Sequence, residues 1–318
     1  MKVGLLPELT HIKWVRALKR CVDALAPGLC WIETAAPPRN AGLLVSGDAC
    51  YPFKKMVASA VGLLGEVDVL FIPRLVGSGD HLMCPNFRGL PDIVRLNIAR
   101  GSRRAAKPVV TVLLEDGEPQ TLMSAAREAV GEFARLGGAA EPAFPDVDPS
   151  GVSIAGARKC GERTRPTVGN ARKSIALIGH PYVLEDAALN GFIPQILRQN
   201  GYGVTTPADF PFALLDRLAA RRDYFAKKIY WRSAREIVGA FIHFIESVHP
   251  AGIIQIVPFN CGIDALLRIE LMDIHRRESN PPPFMAVVCD EHTQRDHIVT
   301  RIEAFLDMIH GIKIDQIP

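Results

Sequence analysis

The sequence lacks the features that mark several large classes of protein. No apolar run approaches the roughly 20 residues that span a bilayer, and no small-residue cleavage site follows an apolar stretch near the N-terminus. The net charge is only +3, from 37 Lys plus Arg against 34 Asp plus Glu, which is too small to indicate a nucleic-acid-binding surface. We therefore expect a cytoplasmic protein that contacts neither a membrane nor a nucleic acid.

Two kinds of motif are also missing. The seven cysteines include no CxxC pair, which argues against a zinc ribbon or a thioredoxin-type redox site. The chain has no glycine-rich Walker loop, so nothing indicates that it hydrolyses ATP itself. With 318 residues it is long enough to bury a core without disulfides. We expect its thiols to be free, catalytic or bound to metal.

Short runs of Val, Ile and Leu alternate with amphipathic helical patterns, as is typical of a parallel α/β fold. The predicted strands are Lys2–Leu6, Leu43–Ser46, Val67–Pro73, Val109–Leu114, Ser174–Gly179, Gly203–Thr206, Gly252–Pro258 and Phe284–Cys289. The predicted helices include Trp14–Leu25, Pro52–Leu64 and Glu236–Val248. The predicted fold is α/β, with two Rossmann-like lobes, each built on a doubly wound, mostly parallel sheet.

One segment without clear periodicity separates the two predicted lobes. Residues 137–172 are rich in Gly, Pro, Ala and Arg, which is typical of a linker or an irregular crossover. The predicted N-terminal lobe is then 1–136 and the C-terminal lobe 173–318. The arginines of the linker would suit a phosphate clamp, and the ordinary alternative is a solvated connector.

Three cysteines occupy similar places in the pattern. Cys50, Cys84 and Cys261 each follow a strand-like run and precede a helix-like run. Such loops form the binding crevice of open parallel sheets, and a helix N-terminus lowers the pKa of a thiol. Three thiolates meeting in a crevice between the lobes would bind three irons of a [4Fe–4S] cluster and leave the fourth iron open. The alternative is that each cysteine is a small buried apolar residue.

The remaining cysteines are weaker candidates. Cys21 has the position of a helix core residue, Cys30 that of a strand residue, and Cys160 lies in the predicted linker. Cys289 ends a predicted strand, where it is either an additional ligand or tuning residue of the metal centre or a core residue.

Two groups of polar residues are candidates for acid–base chemistry. Asp290, Glu291 and His292 follow a predicted strand directly, and a carboxylate–imidazole pair there would transfer protons. The alternative is that they cap the helix that begins near Asp296 or pair with Arg301. His180 forms a second candidate with Asp186 and Asn190, because Pro181 restricts it to extended geometry. The alternative for this group is a structural turn without chemistry.

The segment from Arg217 to Arg235 concentrates basic residues with aromatic ones. It would bind a CoA phosphate or an acidic face of an electron donor, whereas a solvated helix face is the ordinary interpretation of such a run.

Several blocks of the sequence resemble the 2-hydroxyacyl-CoA dehydratase and CoA-enzyme-activase-associated iron–sulfur proteins. The most specific are CYPFKKM, CPNFRGLPDIVR, IVPFNCGIDALL and VVCDEHTQRDHIVTRIEAFLDMI, and they occur in the family's order. Two departures stand out: MVASAVG replaces a Gly-His that often follows the first block, and Cys289 precedes the Asp-Glu-His. They put a subunit-specific role in doubt but not the cluster.

The resemblance implies Rossmann-like lobes around an oxygen-sensitive [4Fe–4S] cluster. By motif, its ligands in this chain are Cys50, Cys84 and Cys261. The cluster would receive an electron from an ATP-hydrolysing iron–sulfur activator protein. The dehydratases then remove water from a 2-hydroxyacyl-CoA through a ketyl radical, and relatives with a double-cubane cluster reduce small molecules. A double cubane needs more thiolates than these three.

The main hypothesis is therefore an iron–sulfur lyase or reductase component of anaerobic metabolism, acting on an acyl-CoA or a small molecule. We expect it to form a homodimer, or a heterodimer with a paralogous subunit. One alternative is a non-catalytic, cluster-carrying electron shuttle or scaffold subunit. Another is a metal-free, two-lobed binder of small molecules.

Overall fold

The computed structural model describes residues 1–34, 45–79, 81–101, 107–115, 117–137, 174–221 and 228–311. The chain divides into two compact units, Met1–Glu162 and Arg163–Pro318. Each unit contains one four-stranded parallel sheet with helices packed on it. None of the helices in the described ranges is both long and apolar enough to cross a membrane.

The first unit is built on a parallel sheet whose strand order is β2–β1–β3–β7. Its strands are β1 (Lys2–Leu5), β2 (Cys30–Ile32), β3 (Val69–Phe71), β4 (Arg74–Leu75), β5 (Gly77–Ser78), β6 (His81–Leu82), β7 (Val109–Val110) and β8 (Leu113–Leu114). Its helices are α1 (Pro7–Thr10), α2 (Lys13–Leu25), α3 (Tyr51–Leu63), α4 (Pro85–Gly101) and α5 (Pro119–Leu136).

The predicted strand Val109–Leu114 appears as two short pieces rather than one. β7 pairs with β3, and β8 pairs with β4, in the same parallel direction. The interruption in the opposite strand falls at Ile72 and Pro73. The backbone N–H groups of Ile72 and Arg74 nevertheless donate to the carbonyls of Val110 and Val112, so the two segments stay side by side through this point.

The second unit is built on a parallel sheet whose strand order is β10–β9–β11–β12. Its strands are β9 (Ser174–Ile178), β10 (Gly203–Thr205), β11 (Gly252–Pro258) and β12 (Phe284–Cys289). Its helices are α6 (Pro181–Leu184), α7 (Ile193–Gln199), α8 (Phe212–Ala219), α9 (Arg232–His243), α10 (Gly262–Arg277) and α11 (Arg295–His310). A short 3₁₀ turn, Pro207–Asp209, precedes α8, and a π-helical turn, Phe244–Val248, follows α9.

The two sheets have the same strand order when their strands are counted along each unit. In both, the first strand lies between the second and the third, so the chain reverses direction across the sheet at that point. Doubly wound α/β folds bind ligands at this switch point, outside the carboxyl ends of the strands. In both units the first strand also leads into a four-residue helix that begins with proline, α1 and α6.

The core of the second unit lies between its central strands and three helices. Every residue of β9 and β11 is buried, as expected of parallel strands covered on both faces. Buried residues of α8, α9 and α10 form one apolar cluster with Ala176, Ile178 and Ile253 of the sheet. This packing fixes the start of α10 against the sheet, and that is where the polar residues of the unit gather.

The α/β class and the parallel sheets are as predicted from the sequence, and they are compatible with a Rossmann-like fold. The predicted strand Leu43–Ser46 lies partly outside the described residues, and Val45 and Ser46 are not in a strand. Apart from Gly137, the predicted linker 137–172 lies outside them entirely. The helix predicted after Cys84 begins at Pro85, because proline is well suited to a first helical position.

Candidate functional site

Cys261 stands at the start of α10, directly beyond the end of β11. Two residues, Phe259 and Asn260, turn the chain between them, and Asn260 has a left-handed backbone with φ of 59°. Asparagine tolerates this conformation better than most residues. Cys261 is the N-cap of α10, and its side chain is buried.

His180 occupies the corresponding place after β9. It is the N-cap of α6, with φ of −65° and ψ of 144°, the extended geometry that the following proline favours. Its ring is 1% exposed and stacks on Tyr182 with 5.0 Å between the ring centroids. His180 and Cys261 therefore reach the same switch point from neighbouring strands.

The structure brings three metal-ligating side chains together at this point. His180 Nε2 lies 3.6 Å from Cys261 Sγ and 3.1 Å from Asp264 Oδ2. All three ligand atoms lie within 4.8 Å of one another, and all three residues are buried. Asp264 is the third residue of α10, one turn beyond Cys261. The positive end of the helix dipole stabilises a carboxylate at this position.

The carboxylate of Asp264 is fully buried, and its close charged neighbour, His180 at 3.1 Å, is not aligned for a good hydrogen bond. Neither of its oxygens accepts one of good geometry from any residue in the described part of the chain, and His180 Nδ1 is likewise unpartnered there. Burial disfavours the charged imidazole, but the nearby Asp264 and Cys261 outweigh it, so the pKa of His180 lies well above its ordinary value. The charged imidazole of His180 therefore pairs with the buried carboxylate of Asp264.

The geometry does not match that of a cysteine nucleophile with a His–Asp relay. In such a relay the thiol contacts one ring nitrogen of the histidine and the carboxylate contacts the other. Here Cys261 and Asp264 both approach Nε2 of His180. The arrangement is that of donors around a common centre.

Cys50 and Cys84 lie in the first unit, and each stands directly before a helix. Cys50 is the N-cap of α3, and Cys84 precedes the first residue of α4. The side-chain amide of Asn86, in the first turn of α4, donates to Cys50 Sγ over 3.5 Å. Cys84 follows the β5–β6 hairpin rather than a strand of the main sheet. Of the three cysteines, Cys261 is the one seen directly beyond a main-sheet strand.

Asp290, Glu291 and His292 form a local turn after β12. The hydroxyl of Thr293 donates to Asp290 over 2.7 Å and lowers the pKa of that carboxyl. The backbone N–H of His292 donates to the same carboxylate over 2.9 Å. Glu291 and His292 are exposed. A catalytic role for these three residues stays a prediction.

The residues that were grouped with His180 on sequence grounds have structural contacts of their own. Asp186 accepts hydrogen bonds from the backbone of Ala188 and Leu189. Asn190 is buried and donates to the carbonyl of Leu184. Both contacts build the turn that leads into α7, which is the structural alternative considered above.

The other cysteines and the basic segment have ordinary environments where the structure describes them. Cys21 is buried in α2, Cys30 is exposed in β2, and Cys160 lies outside the described residues. Burial raises the pKa of the Cys289 thiol to about 11, so it stays protonated at neutral pH. In the basic segment, Arg235 pairs with Asp216 and Arg221 with Glu246, and residues 222–227 are not described.

Three buried polar residues were not singled out from the sequence. Asp264 is the Asp of the block IVPFNCGIDALL, and its position one helical turn after Cys261 was the available signal. Gln255 interrupts an apolar strand, is fully buried, and has no hydrogen-bond partner for its amide within the described ranges. Glu8 follows β1, and it is buried against Ser59 and Lys55. For Gln255 and Glu8, the available signal was a lone polar residue within an apolar run.

Comparison with known families gives one match. A family model described as CoA enzyme activase uncharacterised domain matches residues 40–209, which is more than half of the chain. The matched segment includes Cys50, Cys84 and His180, whereas Cys261 and Asp264 lie beyond its end. No curated protein matches the chain significantly.

Proposed function

Because the chain belongs to the family described as CoA enzyme activase uncharacterised domain, we propose that it is the iron–sulfur component of a CoA-enzyme-activase system. Cys50, Cys84 and Cys261 supply the thiolates for a [4Fe–4S] cluster. The donor of electrons is an ATP-hydrolysing iron–sulfur activator protein. The reaction is removal of water from a 2-hydroxyacyl-CoA or reduction of a small molecule.

The observation that carries this proposal is the contact between Cys50 and Asn86. It joins the start of α3 to the first turn of α4, which begins directly after Cys84. Two cysteines that are distant in sequence thus belong to neighbouring helix starts. An amide that donates to a sulfur stabilises the thiolate, as hydrogen bonds to cluster sulfurs do in iron–sulfur proteins.

The three cysteines fit a cluster in chemical type and in local setting. Each stands where exposed backbone N–H groups and the helix dipole stabilise a negative sulfur. Cys50 and Cys84 are partly exposed, so their thiols are accessible to incoming iron. A bound [4Fe–4S] cluster would supply one-electron transfer and an iron that acts as a Lewis acid.

Residues near the cysteines would position the sulfur atoms. Asn86 would hold the sulfur of Cys50 through its side-chain amide. His180 Nε2, 3.6 Å from Cys261 Sγ, would hold the sulfur of Cys261 in the same way.

Reconstitution of the full chain with iron and sulfide under anaerobic conditions tests the proposal. We expect about four irons and four sulfides per chain, and an EPR signal after one-electron reduction. Cys50→Ser, Cys84→Ser and Cys261→Ser should each lower the bound iron substantially. Cys30→Ser is the matched control, because Cys30 is an exposed cysteine within a strand and should leave the iron content unchanged.

Protein that stays colourless and free of iron after reconstitution would contradict the proposal. Equal iron loss in Cys30→Ser would show that the loss does not depend on the three helix-start thiols. Turnover of a 2-hydroxyacyl-CoA by this chain with its activator alone would distinguish a catalytic component from a cluster-carrying shuttle.

A further inference from the structure

We propose that His180, Cys261 and Asp264 form a binding site for one divalent transition-metal ion, with Zn²⁺ as the best match. The site belongs to the second unit alone and does not use Cys50 or Cys84. It goes beyond the proposed function because two of its three ligands, the imidazole and the carboxylate, have no role in holding an iron–sulfur cluster.

Two of the three distances between the donor atoms match those of ligands around a tetrahedral ion. Zinc binds His nitrogen and Asp oxygen at about 2.0 Å and Cys sulfur at about 2.3 Å, which places N and O about 3.3 Å apart and N and S about 3.5 Å apart. The observed separations from His180 Nε2 are 3.1 Å to Asp264 Oδ2 and 3.6 Å to Cys261 Sγ. The third pair, Cys261 and Asp264, offers donor atoms within 4.8 Å of each other, so side-chain adjustment would let a single ion contact all three residues.

The electrostatics of the site also favour a cation. Asp264 is 0% exposed and lacks a hydrogen-bond donor of good geometry among the described residues. Buried charged groups in proteins are either paired or coordinated to a metal. A divalent ion that binds here replaces the protons of the His180 ring nitrogen and the Cys261 thiol, because metal ligands bind in their deprotonated forms. The carboxylate and the sulfur then supply two negative charges, which the ion neutralises.

The chemical types of the donors indicate the class of metal. Thiolate and imidazole ligands favour zinc and related transition ions over Mg²⁺ or Ca²⁺, which prefer oxygen. Three protein ligands leave a fourth position for a water molecule or a substrate oxygen, as in catalytic zinc sites. Such an ion acts as a Lewis acid.

The ion and the proposed cluster share one ligand, the sulfur of Cys261. They therefore exclude each other, and we expect Zn²⁺ loaded in advance to lower the uptake of iron. This competition rests on the proposed function. The metal site itself does not, because it requires only residues of the second unit.

The test uses the full chain, purified in air, stripped with a chelator and kept reduced with a phosphine. Equilibrium dialysis should give one tightly bound Zn²⁺ per chain. Substitution by Co²⁺ should give a thiolate-to-cobalt charge-transfer band and the intense visible bands of a tetrahedral site. X-ray absorption of the zinc-loaded chain should show one sulfur among nitrogen and oxygen ligands.

Single variants assign the ligands. Cys261→Ser should abolish the charge-transfer band. His180→Gln and Asp264→Asn should each weaken Zn²⁺ binding by more than about 100-fold, because each removes a direct ligand and loss of an outer-shell partner alone costs up to about 100-fold. Asp273→Asn is the matched control in the same helix, because the side chain of Asp273 is half-exposed and paired with Arg277. Cys289→Ser is the matched cysteine control at the end of the neighbouring strand.

The outcomes separate this inference from the proposed function. A Cys50→Ser/Cys84→Ser double variant should lose the cluster and keep the zinc site. Zinc binding without any cluster assembly would contradict only the proposed function. Absence of stoichiometric zinc, or an X-ray spectrum with no sulfur ligand, would overturn the inference. Both are measured on the unsubstituted chain, so they do not depend on whether a variant folds. A charge-transfer band that survives Cys261→Ser would also overturn it.

Discussion

At the scale of single residues, two unusual positions shape the candidate site. Asn260 adopts a left-handed backbone, which turns the chain sharply enough for Cys261 to begin α10. Gly179 precedes His180, and a Cβ at that position would lie 3.0 Å from the carbonyl oxygen of Ile256. The absence of a side chain there lets β9 and β11 remain close at the ends that lead to His180 and Cys261, where the two side chains meet.

Residue environment also determines how reactive each cysteine is. Cys289 is 1% exposed and its thiol has a pKa of about 11, so both burial and protonation protect it. Cys30 is exposed. We expect iodoacetamide at neutral pH to label Cys30 rapidly and Cys289 only after unfolding, as measured by peptide mass spectrometry.

The control for that prediction is labelling in strong denaturant, where both cysteines should react. Labelling of Cys289 in the native protein at a rate similar to that of Cys30 would contradict its burial and its raised pKa.

At the scale of secondary-structure elements, the close packing of α8 against α9 depends on one glycine. A Cβ added to Gly239 would lie 1.9 Å from the carbonyl oxygen of Leu215 in α8. Because that neighbour is backbone, the helices themselves must separate to accept a side chain. These helices cover β9 and β11, which carry His180 and Cys261 at their ends.

We therefore expect Gly239→Ala to destabilise the second unit by about 2 kcal/mol or more, at the upper part of the range for overpacked cores. Gly131→Ala is the matched control in α5, since a Cβ at Gly131 would meet nothing within 4 Å. Alanine there should stabilise the helix by about 0.5–1 kcal/mol. Urea unfolding followed by circular dichroism measures both changes, and a neutral Gly239→Ala would contradict the close helix contact.

At the scale of the whole molecule, the chain consists of two units that each have a sheet and a core of their own. Proteins with several cores commonly unfold in more than one step. A ligand that binds one folded unit stabilises that unit by mass action. The metal site described above belongs to the second unit.

We expect calorimetry of the full chain to show two transitions. Gly239→Ala should lower the midpoint of one, and Gly131→Ala should raise the midpoint of the other. Added Zn²⁺ should raise the midpoint of only one transition, the one whose midpoint Gly239→Ala lowers. A single transition that responds to both substitutions would contradict separate unfolding of the two units.

Much of the architecture was predictable from the sequence because it depends on local patterns. Strands β11 and β12 have the bounds that were predicted for them, because each is a short, largely apolar run. β11 is buried along its whole length, as is typical of a central parallel strand. The placement of Cys50, Cys84 and Cys261 directly before helices was also predictable, from the change of periodicity beside each cysteine. Membership of a CoA-enzyme-activase-related family followed from short blocks of contiguous residues.

Only the tertiary structure decided which of these residues meet. His180 was assigned a separate role on sequence grounds, and Asp264 was not singled out, yet both lie beside Cys261. The reason is that β9 and β11 are adjacent in the sheet although 73 residues separate Ile178 and Gly252 in the chain. Local periodicity reports which face of an element is buried, whereas the order of strands is set by packing over the whole unit. The three donors are close because of that order.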